Sequence, residues 1–446
     1  MREMLLFAFD MNCVAHQSQG LWRHPRDRAS KYTEMAYWTE MAKTLERGFF
    51  DGIFLADVSG LYDVYNNSPE AAIRAATQVP TNDPFTLVPL MAGVTKHLTF
   101  GVTGNISLET PYLFARKASS LDHLTDGRFG WNIVTGYLDS AHKGLGEEAK
   151  EEHDIRYDIA DEYMEIVYRL WEESWEEGAV VRDAASGTFS DPSKVHEIVH
   201  EGKYFNMRGI HLCEPSPQRT PLLFQAGTSK KGRVFAGKHA ECVFIAGRTP
   251  EGQSTVVQQI RDQAVSGGRA PDDMKVIGAL SVIVGKSDLE AKEKFEDYKQ
   301  YGIHDGALAL LSGWTGMDLS LADDQRRIRE DKGDAIRGIF RHAGVDSIDD
   351  WVDRTTVGGA AETILGTPSS IADQMQEWLD ISGLDGFNLA YTVMPECVED
   401  FVDLVVPELQ ERGLLKSEYR AGTFREKLFG KGNFLIETHP GSKYRG

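Results

Sequence analysis

The chain has 446 residues, 41% of them apolar, with a formal net charge of −20 and a pI near 5.1. That length allows either one large α/β domain with insertions or two domains, each with ample material for a core. A carboxylate excess of this size repels phosphate-rich surfaces, which excludes nucleic acid and anionic membrane as main partners.

The four cysteines, Cys13, Cys213, Cys242 and Cys397, are scattered singly, with no Cys-x-x-Cys pair. A zinc or dithiol centre therefore has no support, no metal is expected, and a reducing cytoplasm fits the chain. The opening MREMLLFAFDMN is apolar for six residues before it meets Asp10, too short for a signal h-region or a membrane span.

Short β-type runs alternate with helical patterns along the chain. MLLFAFDM precedes a helix over Tyr37 to Arg47, and DGIFLADV precedes one near Pro84 to Thr95. LTFGVTGN is followed by Tyr112 to Leu124, and RFGWNIVT by a long amphipathic helix from about Asp154 to Glu173. PLLFQAG precedes Gly232 to His239, and ECVFIAG precedes Gly252 to Ala264. KVIGALSVIVG precedes Leu289 to Tyr301, and DGFNLAY precedes Val398 to Arg412. Strands alternating with helices build parallel β-α-β units, and eight of them predict a closed (β/α)8 TIM barrel. An open doubly wound sheet is the rival, but FAFDMNCVAHQ carries no phosphate fingerprint after the first strand.

The spacing predicts one domain over 1–446 with insertions at about 174–220 and 302–368, which read as lids or oligomer contacts. The charged run ADDQRRIREDKGD within the second reads as a solvated helix face. An aperiodic arm at about 417–446 is a candidate to wrap a neighbouring subunit.

In a barrel the catalytic groups sit where strands finish. The first strand ends in Asn12 and Cys13, with His16 just beyond, and the second in Asp57, with Tyr62 following. The third ends in Thr103, Gly104 and Asn105, and the fourth in Asn132, Thr135, Gly136 and Tyr137. The fifth leads into AGTSKKGR, and the eighth carries Asn388 and Tyr391. This polar mouth lacks the paired carboxylates of a glycosidase, metal-ligand spacing and a Gly-x-Ser-x-Gly elbow. Hydroxyls, amides and one histidine suit a hydrogen-bonded organic cofactor.

Two features point to phosphate on that cofactor. AGTSKKGRVF is a strand-to-helix turn whose backbone N–H groups and Ser229 can hold an anion, although such a turn equally serves as a simple cap. In HDIRYDIADEYMEIVYRLWE, His153 and Tyr157 are four residues apart at the positive end of a helix. A packed aromatic and a capping histidine explain that pair equally well.

The stretches NCVAHQSQGLWRHP, LERGFFDGIFLADV, SLDHLTDGRFGWNIVTGYLDSA, HDIRYDIADEYMEIVYRLWE, EPSPQRTPLLFQAGTSKKGR and GTFREKLFGKGN resemble the bacterial luciferase-like flavin monooxygenases over nearly the whole chain. The similarity is to the branch with the nitrilotriacetate, dibenzothiophene-sulfone, dimethyl-sulfide and long-chain-alkane enzymes. It implies a barrel that binds reduced FMN at its C-terminal mouth through Asp57, Thr103, His153, Tyr157 and Ser229, with Asn132 and Gly136 along the ring. It also implies a non-proline cis peptide near the end of the third strand, for which Gly104 is the least costly place.

No dinucleotide fingerprint follows a strand, so the resemblance implies a separate NAD(P)H:flavin reductase that supplies FMNH2, with O2 and a small organic substrate completing the reaction. His16 is the candidate for proton management, by position and titration range, beside Cys13, Tyr62 and Tyr137. In the resembling alkane enzyme a histidine stands where this chain has Tyr137, and the dimethyl-sulfide enzyme has tyrosine there. That difference favours a small apolar, sulfur-containing substrate. Long-chain alkane hydroxylation, a deazaflavin-dependent dehydrogenase and a non-catalytic flavin binder are the alternatives. The resemblance also implies a homodimer or homotetramer.

Overall fold

The computed structural model describes residues 3–146, 151–227, 229–321 and 348–445. Eight parallel strands follow one another around a ring: β1 (Leu5–Met11), β2 (Gly52–Ala56), β3 (Thr99–Asn105), β4 (Phe129–Val134), β5 (Leu222–Gln225), β6 (Cys242–Ile245), β7 (Lys275–Val284) and β8 (Gly386–Ala390). The order β6-β5-β4-β3-β2-β1-β8-β7 closes through a β6–β7 pairing, so the (β/α)8 barrel predicted from the alternation is the fold.

The strands are apolar on both faces because one face meets the helices and the other fills the barrel. Phe7, Phe54, Phe224 and Phe244 form an inner layer, with Phe224 and Phe244 stacked at 5.3 Å and Phe7 set edge-on to Phe224 at 6.0 Å. Gly130 on β4 leaves the space those rings need: a Cβ there would lie 2.7 Å from the Phe224 ring.

The helices after the strands are α1 (Met35–Arg47), α2 (Leu87–Ala92), α3 (Pro111–Leu124), α4 (His153–Tyr168), α5 (Lys230–His239), α6 (Pro250–Ser266), α7 (Asp288–Lys299) and, after β8, Val406–Glu411. Two further helices, α8 (His304–Thr315) and α9 (Pro368–Ser382), were not legible from periodicity. Nor was the strand Glu362–Gly366, which pairs with Leu280–Val284 of β7 beyond the reach of β6. Part of the expected 302–368 insertion is therefore sheet. ETILG is short, begins on a charge and follows a glycine-rich stretch, so nothing local marks it. The charged run of that segment lies outside the described residues. The 174–220 segment carries two small antiparallel hairpins, Val180–Asp183 with Thr188–Ser190 and Ile198–Glu201 with Asn206–Gly209.

The C-terminal arm packs on its own barrel. Phe424 enters the lower end of the phenyl layer, 5.5 Å from Phe224, and buried Arg425 forms a two-pronged ion pair with Glu241 at 2.6 and 2.9 Å. Among the described residues the cis peptide bonds are Val79–Pro80 and Met394–Pro395, so the non-proline cis bond expected near Gly104 is not present. Trp131 Nε1 donates to the Gly104 carbonyl at 3.0 Å in an ordinary trans setting. No described helix is long and apolar enough to cross a membrane.

Candidate functional site

Thr103 and Asn132 stand opposite each other in the β3–β4 register, near the C-terminal ends of both strands. Asn132 Nδ2 donates to Thr103 Oγ1 at 2.9 Å, while Asn132 Oδ1 is buried and has no partner. An unpaired buried carbonyl is costly, so its place at a strand end marks a group built to receive a donor. Asn388 on β8 presents an orphaned Oδ1 of the same kind. This is why an apolar strand such as FGWNIV carries an asparagine: alternate residues face the interior, and at the top layer the interior is the floor of the mouth.

Asp57, just past β2, shares a cavity of about 300 Å³ with Thr103, Gly104 and Asp83. Burial, with the Asp83 carboxylate adding to it, pushes the Asp57 carboxyl up to about 6. Gly136, two residues past β4, has φ +71°, and a Cβ there would lie 2.8 Å from Asn105 Nδ2, so this turn admits only glycine comfortably.

One strand further round, Tyr157 of α4 meets the start of α5. Ser229 is the N-cap, its Oγ accepting from Gly232 N–H at 3.0 Å. A Cβ on Gly227 or on Gly232 would each lie 2.8 Å from the Tyr157 hydroxyl, so a cradle floored by backbone opens around that oxygen. Burial raises the Tyr157 pKa, with hydrogen bonds from Ser229 and Gln225 opposing it, and Gln225 Oε1 is itself an orphaned buried acceptor. His153 stacks edge-on against Tyr157 at 5.2 Å, is about half exposed, and binds Asp154 Oδ1 through Nδ1 at 2.9 Å.

The four residues suggested for chemistry divide. Tyr62 is fully buried, and its hydroxyl donates to Gln78 Oε1 at 2.8 Å. Gln78 Nε2 donates to the His16 carbonyl at 2.8 Å, which fixes the amide's orientation. The Tyr62 proton being committed, the hydroxyl of Tyr137 donates to the Tyr62 oxygen. Tyr137 is 37% exposed, and its oxygen receives a hydrogen bond from the Trp314 side chain. Burial pushes its pKa up to about 12, so it stays a neutral phenol at ordinary pH. His16 enters this chain through its backbone. Its imidazole bonds Gln17 Nε2 at 3.1 Å, packs edge-on against Phe9 at 4.4 Å, and is lowered by burial to about 3. The titration range expected of His16 is thus corrected: the ring is neutral throughout physiological pH, because nothing charged repays its desolvation. Cys13 is buried, pairs through its backbone with Thr81, and burial raises its thiol well above the ordinary range, which disfavours the thiolate.

Sequence reasoning missed Gln78, Gln225 and Arg156. Gln225 closes the apolar strand LLFQ, the same signal that singled out Asn132. Arg156 sits between His153 and Tyr157, is buried, and donates to the Thr135 carbonyl at 3.2 Å, tying α4 to the end of β4. Gln78 follows a short helix and carries no local signal.

The residues present fit a phosphorylated, ring-bearing cofactor: a backbone cradle with two hydroxyls on one side, and orphaned amide oxygens around the barrel mouth on the other. Among the described residues no cluster of His, Cys, Asp or Glu is placed to hold a metal.

Residues 9–385 match the family described as luciferase-like monooxygenase. The dimethyl-sulfide monooxygenase of Hyphomicrobium sulfonivorans is 47% identical, covering 100% of this chain and 94% of its own. The crystal structure of a long-chain alkane monooxygenase superposes with a TM-score of 0.94 at 48% identity, over 100% of both chains. A riboflavin lyase solved with modified FMN and riboflavin gives 0.93 at 36% identity, again over 100% of both.

Proposed function

The chain belongs to the luciferase-like monooxygenase family and is a flavin-dependent oxidoreductase, and from that premise we propose that it works with reduced FMN and O2, supplied with FMNH2 by a separate NAD(P)H:flavin reductase, to oxidise a small apolar organosulfur compound. The observation that carries this reading is the wall beside the paired tyrosines. Tyr62, Ala72, Leu138, Ala309 and Leu310 pack as one buried apolar cluster, bordered by Val58 and Trp314. An apolar substrate buries its surface favourably against such a wall.

In this reading Ser229, Tyr157 and the first N–H groups of α5 hold the FMN phosphate, and Asn132, Thr103 and Asp57 position the ring. Bound reduced flavin supplies the activation of dioxygen. The chain's own contribution is to bind, to exclude water behind the apolar wall, and to hold a proton at Tyr137 Oη. A phenol with its pKa near 12 gives that proton up only to a strong base formed during the reaction. The directional chain Tyr137→Tyr62→Gln78 keeps both hydroxyls fixed while this occurs.

The test is oxygen and substrate consumption by the purified protein with an added NADH:FMN reductase, comparing dialkyl sulfides with alkanes of graded length. Sulfide-dependent turnover is the expected result. Oxygen uptake that never exceeds the free-flavin background would end the proposal, and turnover of long alkanes alone would shift the substrate to the alkane class.

A further inference from the structure

Arg156, the fourth residue of α4, is 7% exposed and stands where a cation is disfavoured on several counts. Burial strips its guanidinium of water and lowers its pKa. Its place in the first turn of α4 sets it against the positive end of the helix dipole. Among the described residues no carboxylate lies within ion-pair distance of it, and Asp139 acts on it from further off.

Its hydrogen bonds do not offset this. Nη1 donates to the Thr135 carbonyl at 3.2 Å, while Nε is buried with no acceptor. Arg128, buried and likewise without an ion pair, looks different. It gives every guanidinium nitrogen an acceptor: the carbonyls of Thr125, Leu98 and Ala92 and the hydroxyl of Thr95. A tie between α4 and the end of β4 accounts for the one bond of Arg156, but a neutral amide would make that bond without burying a charge. A dry cation with an unused donor marks a site whose counter-charge comes from outside the chain.

Beside it lies the flavin cradle. Arg156 and Tyr157 are near enough for each to shift the proton affinity of the other. The Tyr157 oxygen receives hydrogen bonds from Ser229 and Gln225, which leaves its own proton free to be donated into the cradle. The start of α5 brings a second set of helix N–H groups to the same place. The lysines at this rim offer less. Lys230 is exposed, and Lys231 is paired with Asp158 at 2.8 Å. A charge held out of water acts more strongly than one in it.

Resting on the flavin reading above, we propose that Arg156 supplies the counter-charge for the phosphate of the cofactor, and that it thereby makes the site select FMN over unphosphorylated riboflavin. The N–H that the protein leaves without an acceptor is the donor available to that phosphate.

The test is flavin binding to the full chain, read by quenching of flavin fluorescence, with FMN and riboflavin titrated separately. Wild type should bind FMN more tightly. In Arg156→Met, FMN affinity should fall by about tenfold or more, as for a lost hydrogen bond between charged groups, while riboflavin affinity stays within about twofold. Arg156→Lys keeps the charge and loses the planar fork, so it should retain part of the preference. Equal losses for both flavins, no loss for FMN, or the same loss in Arg156→Lys as in Arg156→Met would each reduce the residue to a structural tie and overturn the proposal. The phosphorus NMR signal of FMN bound to wild type covers the case in which the variants do not fold. It should keep its dianion position down to about pH 5, whereas a free phosphate monoester titrates near about 6. Titration of the bound phosphate near 6 would overturn the proposal. Wild type that binds FMN and riboflavin alike would end this proposal alone, and wild type that binds neither would end the flavin reading with it.

Discussion

The hydroxyls of Tyr62 and Tyr137 are hydrogen-bonded to each other across 75 residues of sequence, and Tyr62 passes its own proton to Gln78. Removing the middle hydroxyl leaves Gln78 Oε1 without its donor in a dry site. Tyr62→Phe should cost about 1–3 kcal/mol of stability, the usual penalty for an orphaned buried acceptor. It should also lower substrate oxidised per O2 consumed, because Tyr137 loses its anchor. Urea unfolding and a coupling measurement check both; wild-type coupling in the variant would remove Tyr62 from the site.

Gly313 of α8 seats that tyrosine. A Cβ at Gly313 would lie 2.2 Å from Tyr62 Cδ1, so Gly313→Ala must displace the ring. Alanine favours an α-helix over glycine by about 1 kcal/mol, so a merely helical position would gain stability on substitution. We expect coupling to fall instead, and the effect to vanish in a Tyr62→Ala background, where the ring that the new methyl group strikes is gone. Additive effects of the two changes would contradict the contact.

The flavin cradle has a direct test. Tyr157→Phe with Ser229→Ala should weaken FMN binding by roughly 1–3 kcal/mol, as for hydrogen bonds lost to a charged group. Fluorescence titration of FMN reads it. Unchanged affinity would place the phosphate elsewhere.

Asp57 gives a pH signature. Its folded pKa is raised to about 6 from an ordinary 3.8. The folded state therefore holds the proton more tightly than the unfolded state, and wild-type stability falls as pH rises between those values. The ionised group costs the apoprotein roughly 3 kcal/mol at neutral pH and above. Asp57→Asn escapes that cost. The thermal midpoint of the variant relative to wild type should rise between pH 4 and 8 (a window set by about 4–6 for the shift). A pH-independent difference would show the carboxyl to be unperturbed.

At the other pole, Arg425 is 1% exposed and gives Glu241 both prongs of its guanidinium. Arg425→Ala strands a buried carboxylate, and about 3–5 kcal/mol of destabilisation is expected by chemical denaturation. Arg425→Ala combined with Glu241→Ala should recover part of it. A loss below 1 kcal/mol would mean that the arm contributes little to closing the barrel.

The chain's own periodicity and composition determined the eight strand-helix units. The polar strand ends at Thr103 and Asn132 were legible for the same reason, since a polar residue near the close of an apolar run is a local signal, and Ser229 was legible as the cap of a strand-to-helix turn. The tertiary structure alone decided the rest. Tyr62 and Gln78 are 16 residues apart, Arg425 and Glu241 are 184 apart, and Lys427 reaches the His97 carbonyl across 330. No spacing rule connects such residues, since only closure of the ring brings them together. The neutrality of His16 belongs with them, because desolvation is a property of the packed interior and the residue type alone implies titration near neutrality.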